Sequence, residues 1–258
     1  MPFVYVFAAM KSEARPLEQM LARQGGLSSA TRFTEGKIGN NEIALFLSGI
    51  GPRRAGECAK AALGSISPLA PQLGARPDAA LVIGTCGSLS PSLPENTIVT
   101  YMSCLSTDSS QTPLTCSERL NVCVGRLLRS KGLNCEQVIG ITSARVATHL
   151  DQRLALAQSG ATVIDMESYE IVAAANRARV PVSVLRVVSD SLDRKMPDFD
   201  RALKPDGDFD GLKALRIAVG SPLRTFKMIA ASRRAIRHLE IALEVILPAA
   251  CFVPITGP

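Results

Sequence analysis

The chain has 258 residues, which is enough for one full hydrophobic core and barely enough for two domains. Its 47% hydrophobic and 20% charged residues are ordinary for a globular protein and exclude disorder over most of the chain. The net charge of +6 is concentrated in residues 213–237, which hold seven Lys or Arg and no acidic residue. With eight Phe, three Tyr and no Trp, the chain lacks the aromatic residues of a nucleic-acid-binding surface.

The seven Cys and two His show no metal-binding pattern, since there is no CxxC pair and the two His are far apart. We therefore expect no metal and no other cofactor, and reduced, buried thiols in a cytoplasmic protein. The apolar N-terminal run has no basic residue before it, unlike a signal peptide. Nowhere does the sequence reach the roughly 18 apolar residues that a spanning helix needs.

Short runs rich in Val, Ile and Leu predict the buried strands of a mostly parallel sheet. These runs are Pro2–Ala9, Glu42–Ser48, Ala79–Gly84, Thr97–Cys104, Val138–Ile141 and Val182–Ser189. The predicted helices alternate with them, at Arg53–Leu63, Ser117–Arg129, Gln152–Ser159 and Glu167–Arg177. This alternation predicts a single-domain α/β fold, with helices on both faces of a mixed, mostly parallel sheet.

The C-terminal quarter has a different character. Asp193–Gly211 is polar, carries two Pro and is predicted to be a long functional loop, and Leu212–Ile246 is predicted to be a basic helical region. We therefore expect a catalytic core over residues 1–193 and a C-terminal loop and helical extension over residues 194–258, packed on the same domain.

Two segments at strand ends, where α/β sheets bind ligands, carry an acid and a glycine turn. Glu13 follows the first strand and enters a helix, where a carboxylate is also favoured by the helix dipole alone. The Ser48-Gly49-Ile50-Gly51-Pro52 turn suits the binding of anions or hydroxyls, or is simply a tight turn. A dinucleotide fingerprint would need glycine where Arg54 stands.

Small residues and carboxylates also follow other predicted strands or apolar runs. Thr85 and Cys86 follow a buried strand; the threonine offers a hydroxyl, and the thiol is favoured as a core residue over a nucleophile because no base is near in sequence. In two segments, carboxylates follow directly after a run of apolar residues: Asp165-Met166-Glu167-Ser168 and Arg186-Val187-Val188-Ser189-Asp190. Buried carboxylates must be paired or used in function, so structural ion pairs with Arg186 are the alternative to a functional site.

In order and spacing, the four segments resemble the family-1 nucleoside phosphorylases, and most closely their 5′-methylthioadenosine/S-adenosylhomocysteine nucleosidase branch. The resemblance covers residues 3–193, and its most specific parts are Asp165–Ser168 and Val180–Asp190. It implies cleavage of the N-glycosidic bond of a purine nucleoside with an adenine-type base, without metal. It also implies a homo-oligomer.

The resemblance implies a role for each matching residue. Glu13 corresponds to the general base that activates water, and Asp190 to the acid at purine N7, with Ser189 beside it. Met166 and Glu167 correspond to the residues on the base and ribose hydroxyls, Thr85 to the hydroxyl near the water or phosphate, and Gly51 to the glycine turn. Arg186 is expected to orient Asp190.

The sequence also departs from the family. The phosphorylases carry an Arg for phosphate where this chain has Val82, so water is favoured over phosphate, although Arg53, Arg54 or Arg145 could contact phosphate. No aromatic residue lies between 102 and 168, where the nucleosidases place one on the purine; Phe199 or Phe209 could replace it.

The C-terminal extension resembles the hopanoid-associated phosphorylases, which act on an adenosyl-hopane lipid. That resemblance opens two alternatives: phosphorolysis, and action on a lipid-linked nucleoside with peripheral membrane contact by the basic helix. A solvated helix face is the favoured explanation of the basic residues. Two more distant alternatives are a nucleoside-binding protein without catalysis and a cysteine hydrolase that uses Cys86 and His149.

Overall fold

A computed structural model describes residues 1–23, 28–30, 33–64, 76–194, 213, 217 and 219–253 of the chain. In this part, ten strands belong to one sheet. The strands are β1 Phe3–Ala8, β2 Ser28–Ala30, β3 Phe33–Ile38, β4 Asn41–Leu47, β5 Ala79–Ser88, β6 Ile98–Ser106, β7 Leu114–Thr115, β8 Cys135–Thr142, β9 Val163–Asp165 and β10 Val182–Asp190. The helices are α1 Lys11–Arg23, α2 Pro52–Leu63, α3 Glu118–Ser130, α4 Leu150–Ala157, α5 Ser168–Arg177 and α6 Pro222–Ile246, and a 3-10 turn follows at Ala250–Phe252.

The sheet is mixed, and strand β5 is its hub. The N-terminal part of β5 lies between β1 and β10, both parallel to it, and its last residues pair with β9 in antiparallel fashion. Strands β5, β10, β6, β8 and β9 close into a ring, and β4, β3 and β2 extend the sheet beyond β1. The predicted class, a single α/β domain with a mixed sheet, is confirmed, and its longest pairings are parallel.

Helices cover both faces because neighbouring strand residues point to opposite sides. On one face Tyr5, Phe7 and Val82 pack in a core that includes residues of α2 and α5. On the other face Val4, Val6 and Leu81 pack with residues of α1, α3 and α6. Strands buried on both sides read as continuous apolar runs, which is why these strands are visible in the sequence.

All six predicted strands are present, with ends that differ by a few residues. Four other strands escaped prediction because they are very short, or polar at the sheet edge: β2, β3, β7 and β9. The predicted helices are also present, and Gln152–Ser159 is in fact Leu150–Ala157. The predicted Asp193–Gly211 loop lies mostly outside the described residues, and Phe199 and Phe209 lie outside them.

Helix α6 has two unlike halves. From Ala231 onward it buries one apolar residue per turn against the sheet, including Ala235, Leu239 and Leu243. Between Pro222 and Ala230 no side chain is buried. None of the described helices is both long and apolar enough to cross a membrane. The division between a core and an extension at residues 193 and 194 stays a prediction.

The expectation of seven reduced thiols is wrong for one pair. Cys123 on α3 and Cys251 in the 3-10 turn form a disulfide, and Cys58, Cys86, Cys104, Cys116 and Cys135 are free. The pair is 128 residues apart in sequence. Sequence spacing could not reveal it, because the two residues meet only when the chain end folds back onto α3.

Candidate functional site

The C-terminal ends of β1, β5 and β10 meet at one edge of the sheet, because the three strands are parallel. A cavity of about 420 Å³ opens there. It is lined by seven of the eight residues predicted for the site: Glu13, Thr85, Met166, Glu167, Arg186, Ser189 and Asp190. The ends of three strands thus gather residues that are up to 177 positions apart in sequence.

Glu13 is held at the cavity by three hydrogen bonds. Its Oε1 accepts from the backbone N–H of Thr85 at 2.8 Å and from the Thr85 hydroxyl at 3.1 Å. Its Oε2 accepts from the N–H of Met10 at 3.2 Å. The side chain is buried at the first turn of α1, so its orientation is fixed, while Oε2 keeps a lone pair for a ligand.

Arg186 is a fully buried cation at the centre of the site. Its Nη2 donates to Glu167 Oε2 at 3.3 Å and to the Ser168 hydroxyl at 3.0 Å, and its Nε lies 3.7 Å from Asp165 Oδ2. Its Nη1 donates to the Thr85 carbonyl at 3.2 Å. One guanidinium therefore ties β5 to the segment that joins β9 and α5.

Asp165 and Glu167 share this guanidinium but differ in their proton affinity. Burial works to raise the pKa of Asp165, yet Arg186 and hydrogen bonds from Ser168 and Thr142 outweigh burial and hold it below its usual value. Burial raises the pKa of Glu167 to about 7, against the effect of Arg186 and with help from the nearby acids Asp165 and Glu13. The difference arises because Asp165 Oδ1 accepts three hydrogen bonds, whereas Glu167 has one backbone donor, Gly51.

Gly51 serves the site differently from the prediction. It is not among the residues that line the cavity, and its N–H donates to Glu167 Oε1 at 3.0 Å. The anion that this glycine turn binds is therefore a carboxylate of the protein. Gly51 has a φ of +93°, a conformation that favours glycine.

Gly84 is required because two side chains crowd against it. A Cβ at this position would lie 2.5 Å from Arg186 Nη1 and 2.7 Å from Glu13 Oε1. Its φ of +153° is also rare for other residues. The absence of a side chain lets the buried cation approach strand β5.

The prediction that Arg186 orients Asp190 is wrong. Arg186 and Asp190 are four residues apart on one strand, a separation of roughly 13 Å at 3.3 Å per residue. The partner of Asp190 is Arg153 on α4, whose Nη2 forms an ion pair with Asp190 Oδ2. Both side chains are buried, at 3% and 9% exposure.

Ser189 completes the surroundings of Asp190. Its hydroxyl lies 2.7 Å from Asp190 Oδ1 and 3.2 Å from the Cys86 carbonyl oxygen. The hydroxyl has one hydrogen and therefore donates to one of these acceptors at a time. Asp190 Oδ2 lies against Gly87, where a Cβ would be 3.0 Å away.

Cys86 lines the cavity but lacks the properties of a nucleophile. Burial raises the pKa of its thiol well above the ordinary value, and Arg186 offsets only part of this effect. His149, the proposed partner, is exposed on the loop before α4. The cysteine hydrolase alternative therefore has no activated thiol.

Several lining residues were not predicted. Arg153 and Arg194 reach the cavity from α4 and from the segment after β10, and Met228 and Ser232 reach it from α6. Arg194 and Arg234 of α6 both pair with Glu95, which ties the helix to the turn before β6. No sequence signal marked these positions, because they reach the cavity only through the folding of distant segments onto the sheet edge.

We expect the high pKa of Glu167 to make stability depend on pH. The folded state keeps a proton on Glu167 up to about pH 7, whereas the unfolded chain releases it near pH 4.5, so stability falls as pH rises through this window. A move of the pKa from 4.5 to about 7 corresponds to about 3 kcal/mol. Denaturant unfolding should show the Glu167→Gln variant gaining about this amount relative to the unmodified protein between pH 4.5 and pH 7.5.

The matched control is Glu136→Gln, which removes an exposed carboxylate that accepts a hydrogen bond from the Asn134 amide. This variant should keep the pH dependence of the unmodified protein. Parallel unfolding curves for Glu167→Gln and the unmodified protein across the window would contradict a protonated Glu167.

Solved structures with the same fold include a futalosine hydrolase and two 5′-methylthioadenosine/S-adenosylhomocysteine nucleosidases. Futalosine hydrolase of Helicobacter pylori superposes with a TM-score of 0.73 at 16% identity, over 95% of this chain and 96% of that one. The 5′-methylthioadenosine/S-adenosylhomocysteine nucleosidase from Neisseria meningitidis, in complex with methylthio-immucillin-A, has a TM-score of 0.73 at 18% identity, over 96% and 100%. The corresponding nucleosidase of Campylobacter jejuni has a TM-score of 0.69 at 15% identity, over 95% and 99%.

No curated protein sequence matches the chain. The family model of the phosphorylase superfamily matches residues 4–208, about four fifths of the sequence. The conserved architecture, the edge of the sheet at which the cavity opens and this match lead to one conclusion: the chain belongs to the phosphorylase superfamily and is an enzyme that cleaves N-glycosyl bonds.

Proposed function

We propose that the chain hydrolyses the N-glycosidic bond of a purine nucleoside with an adenine-type base. The observation that carries the proposal is the arrangement of three carboxylates around one cavity: Glu13, Glu167 and Asp190. Cleavage of a ribosyl C–N bond passes through an oxocarbenium-like transition state, which needs a base, a stabilising negative charge and an acid for the leaving group.

Glu13 is the proposed base that removes a proton from the attacking water. Its Oε1 is occupied by Thr85, and its Oε2 accepts one hydrogen bond, from Met10. A carboxylate oxygen with a spare lone pair can accept a proton from water. Thr85 contributes by fixing this carboxylate.

Glu167 is the proposed ligand of the ribose hydroxyls, with Met166 against the sugar and base. Its two oxygens are held by Gly51 N–H and by Arg186, so the carboxylate has one orientation. Glu167, Asp165 and Glu13 thus bring three acidic side chains close to one cation, Arg186. The ionised Asp165, whose pKa lies below its usual value, and Glu167, once it releases its proton at about pH 7, would stabilise a ribosyl cation electrostatically.

Asp190 is the proposed acid that protonates the purine at N7, with Ser189 as its hydrogen-bond partner. The leaving base accumulates negative charge as the C–N bond breaks and departs as a neutral molecule when it is protonated. Asp190 lies on the cavity wall with its own cation, Arg153, and is not coordinated by Arg186. The acid and the sugar-stabilising cluster therefore have separate cations.

The distribution of cations favours water over phosphate as the second substrate. Among described residues, four arginines line the cavity, and three are engaged: Arg153 with Asp190, Arg186 with Asp165 and Glu167, and Arg194 with Glu95. Arg145 forms no ion pair with the part of the chain that the structure describes. Val82, where phosphorylases carry an Arg, is buried inside β5.

The adenine-type base is supported by the relatives of the fold. Two of them carry adenosine-derived compounds in their names, methylthioadenosine and adenosylhomocysteine, whereas the hydrolase from Helicobacter pylori acts on futalosine. In this chain the loop before α4 contributes Arg145, Val146 and Ala147 to the cavity, without an aromatic ring.

The direct test is to incubate the purified protein with methylthioadenosine, adenosylhomocysteine, adenosine and inosine, with and without phosphate, and to measure free base by chromatography. We expect adenine release that is independent of phosphate. Release that requires phosphate would establish phosphorolysis instead. A lack of release from all four nucleosides would contradict the proposal and favour a larger nucleoside or a binding protein.

Replacing either catalytic carboxylate should stop turnover. We expect Glu13→Gln and Asp190→Asn each to lower kcat by roughly 10²- to 10⁴-fold, the usual contribution of a general acid or base. Glu18→Gln on the same helix is the control for Glu13, and Cys86→Ser should retain full activity. If Asp190→Asn retains full activity, Asp190 is not the acid.

A lipid-linked nucleoside is the second candidate substrate, and α6 is the observation that favours it. Met228 and Ser232 of this helix line the cavity, while Leu223 and Phe226 near its start are 76% and 71% exposed. The exposed basic residues Arg224 and Lys227 alternate with them. Apolar and basic residues on one exposed helix surface are typical of contact with anionic lipid.

Binding to vesicles tests this second candidate. The protein should sediment with vesicles that contain phosphatidylglycerol and not with phosphatidylcholine alone, and added salt should weaken binding. The Leu223→Ser/Phe226→Ser variant should bind at least fivefold more weakly. Val122→Ser, which removes an exposed apolar residue on α3, is the control. Equal binding by all three proteins would exclude this surface.

A further inference from the structure

Arg153 is a buried cation that none of the roles above requires. It lies in α4, and its side chain is 3% exposed. Burying a guanidinium is costly unless charge and hydrogen bonds compensate it. The neighbours of Arg153 therefore indicate what its position achieves.

The guanidinium is fixed by groups from three other segments. Its Nε donates to the Ala147 carbonyl at 2.9 Å, and its Nη1 donates to the Ser191 carbonyl at 2.9 Å, with the Ser88 carbonyl at 3.5 Å. Its Nη2 pairs with Asp190 Oδ2. The loop before α4, the end of β5 and the end of β10 are thus joined through one side chain.

This arrangement makes the two oxygens of Asp190 unequal. Oδ2 is held by a permanent cation, so a proton is disfavoured there. Oδ1 faces the Ser189 hydroxyl at 2.7 Å, and that hydroxyl has a second acceptor, the Cys86 carbonyl. When Oδ1 is ionised, Ser189 can donate to it. When Oδ1 carries a proton, the hydroxyl can turn to Cys86 and still accept from Asp190.

We propose that Arg153 is a positioning residue that confines the transferable proton of Asp190 to Oδ1 and holds this acid toward the leaving base. The inference rests on the proposed nucleoside hydrolysis. In that step the C1′–N9 bond breaks and its electron pair goes to the purine. The Oδ1–H bond of Asp190 breaks as N7–H forms. Water forms the new bond to C1′ and gives its proton to Glu13.

The test compares the Arg153→Gln and Arg153→Lys variants with the unmodified protein on the nucleoside that it cleaves fastest. We expect Arg153→Gln to lower kcat about 10- to 100-fold while KM stays within threefold, because ribose and base contacts are unchanged. Arg153→Lys keeps the positive charge and should stay within about fivefold of the normal kcat. Arg126→Gln, at an exposed position on α3, is the control for loss of an arginine.

A double-mutant cycle shows whether Arg153 acts through Asp190. In the Asp190→Asn background, Arg153→Gln should change residual base release by less than threefold. The inference is overturned if the losses of base release caused by the two single substitutions multiply in the double variant. It is also overturned if Arg153→Gln raises KM without changing kcat, or if the Gln and Lys variants have equal kcat. Thermal unfolding of each variant detects loss of fold. If Arg153→Gln does not fold, the kcat of Arg153→Lys tests the inference, and a loss of more than fivefold contradicts it. Absence of base release by the unmodified protein would instead refute the proposed function.

Discussion

The candidate site depends on one buried cation. Arg186 can remain charged inside the protein because Asp165 and Glu167 surround it, and these carboxylates, despite the opposing effect of burial, raise its pKa. Gly84 leaves room for the guanidinium, and Thr85 offers its carbonyl. Removal of the Asp165 carboxylate would leave the buried cation poorly compensated, which costs several kcal/mol.

Two electrostatic environments lie side by side on the cavity wall. Around Arg186, three acids share one cation, and burial, together with the neighbouring acids, raises the pKa of Glu167 to about 7. Around Asp190, one acid has one cation, Arg153, and the pair is balanced. In the proposed mechanism this difference is used, since positive charge develops on the sugar while the leaving base requires a proton. Parallel strands supply both environments within one edge of the sheet.

The sequence predicted the buried strands and seven residues of the cavity wall, because both leave local signals. Strands covered on both faces are continuous apolar runs, and carboxylates after such runs are conspicuous. The partner of Asp190 could not be predicted, since Arg153 follows Gln152 in a segment typical of an exposed helix. The error about Arg186 has a geometric reason: four residues along a strand separate two side chains too far for contact.

The Cys123–Cys251 disulfide has a consequence for the unfolded chain. It closes a covalent loop over 128 positions, which contains β8, β9, β10 and α6. In the chain-entropy account, a loop of this length removes about 5 kcal/mol of conformational freedom from the denatured ensemble. The oxidised denatured ensemble is therefore more compact and exposes less surface to denaturant. The denaturant m-value should accordingly be smaller for the oxidised protein than for the reduced one.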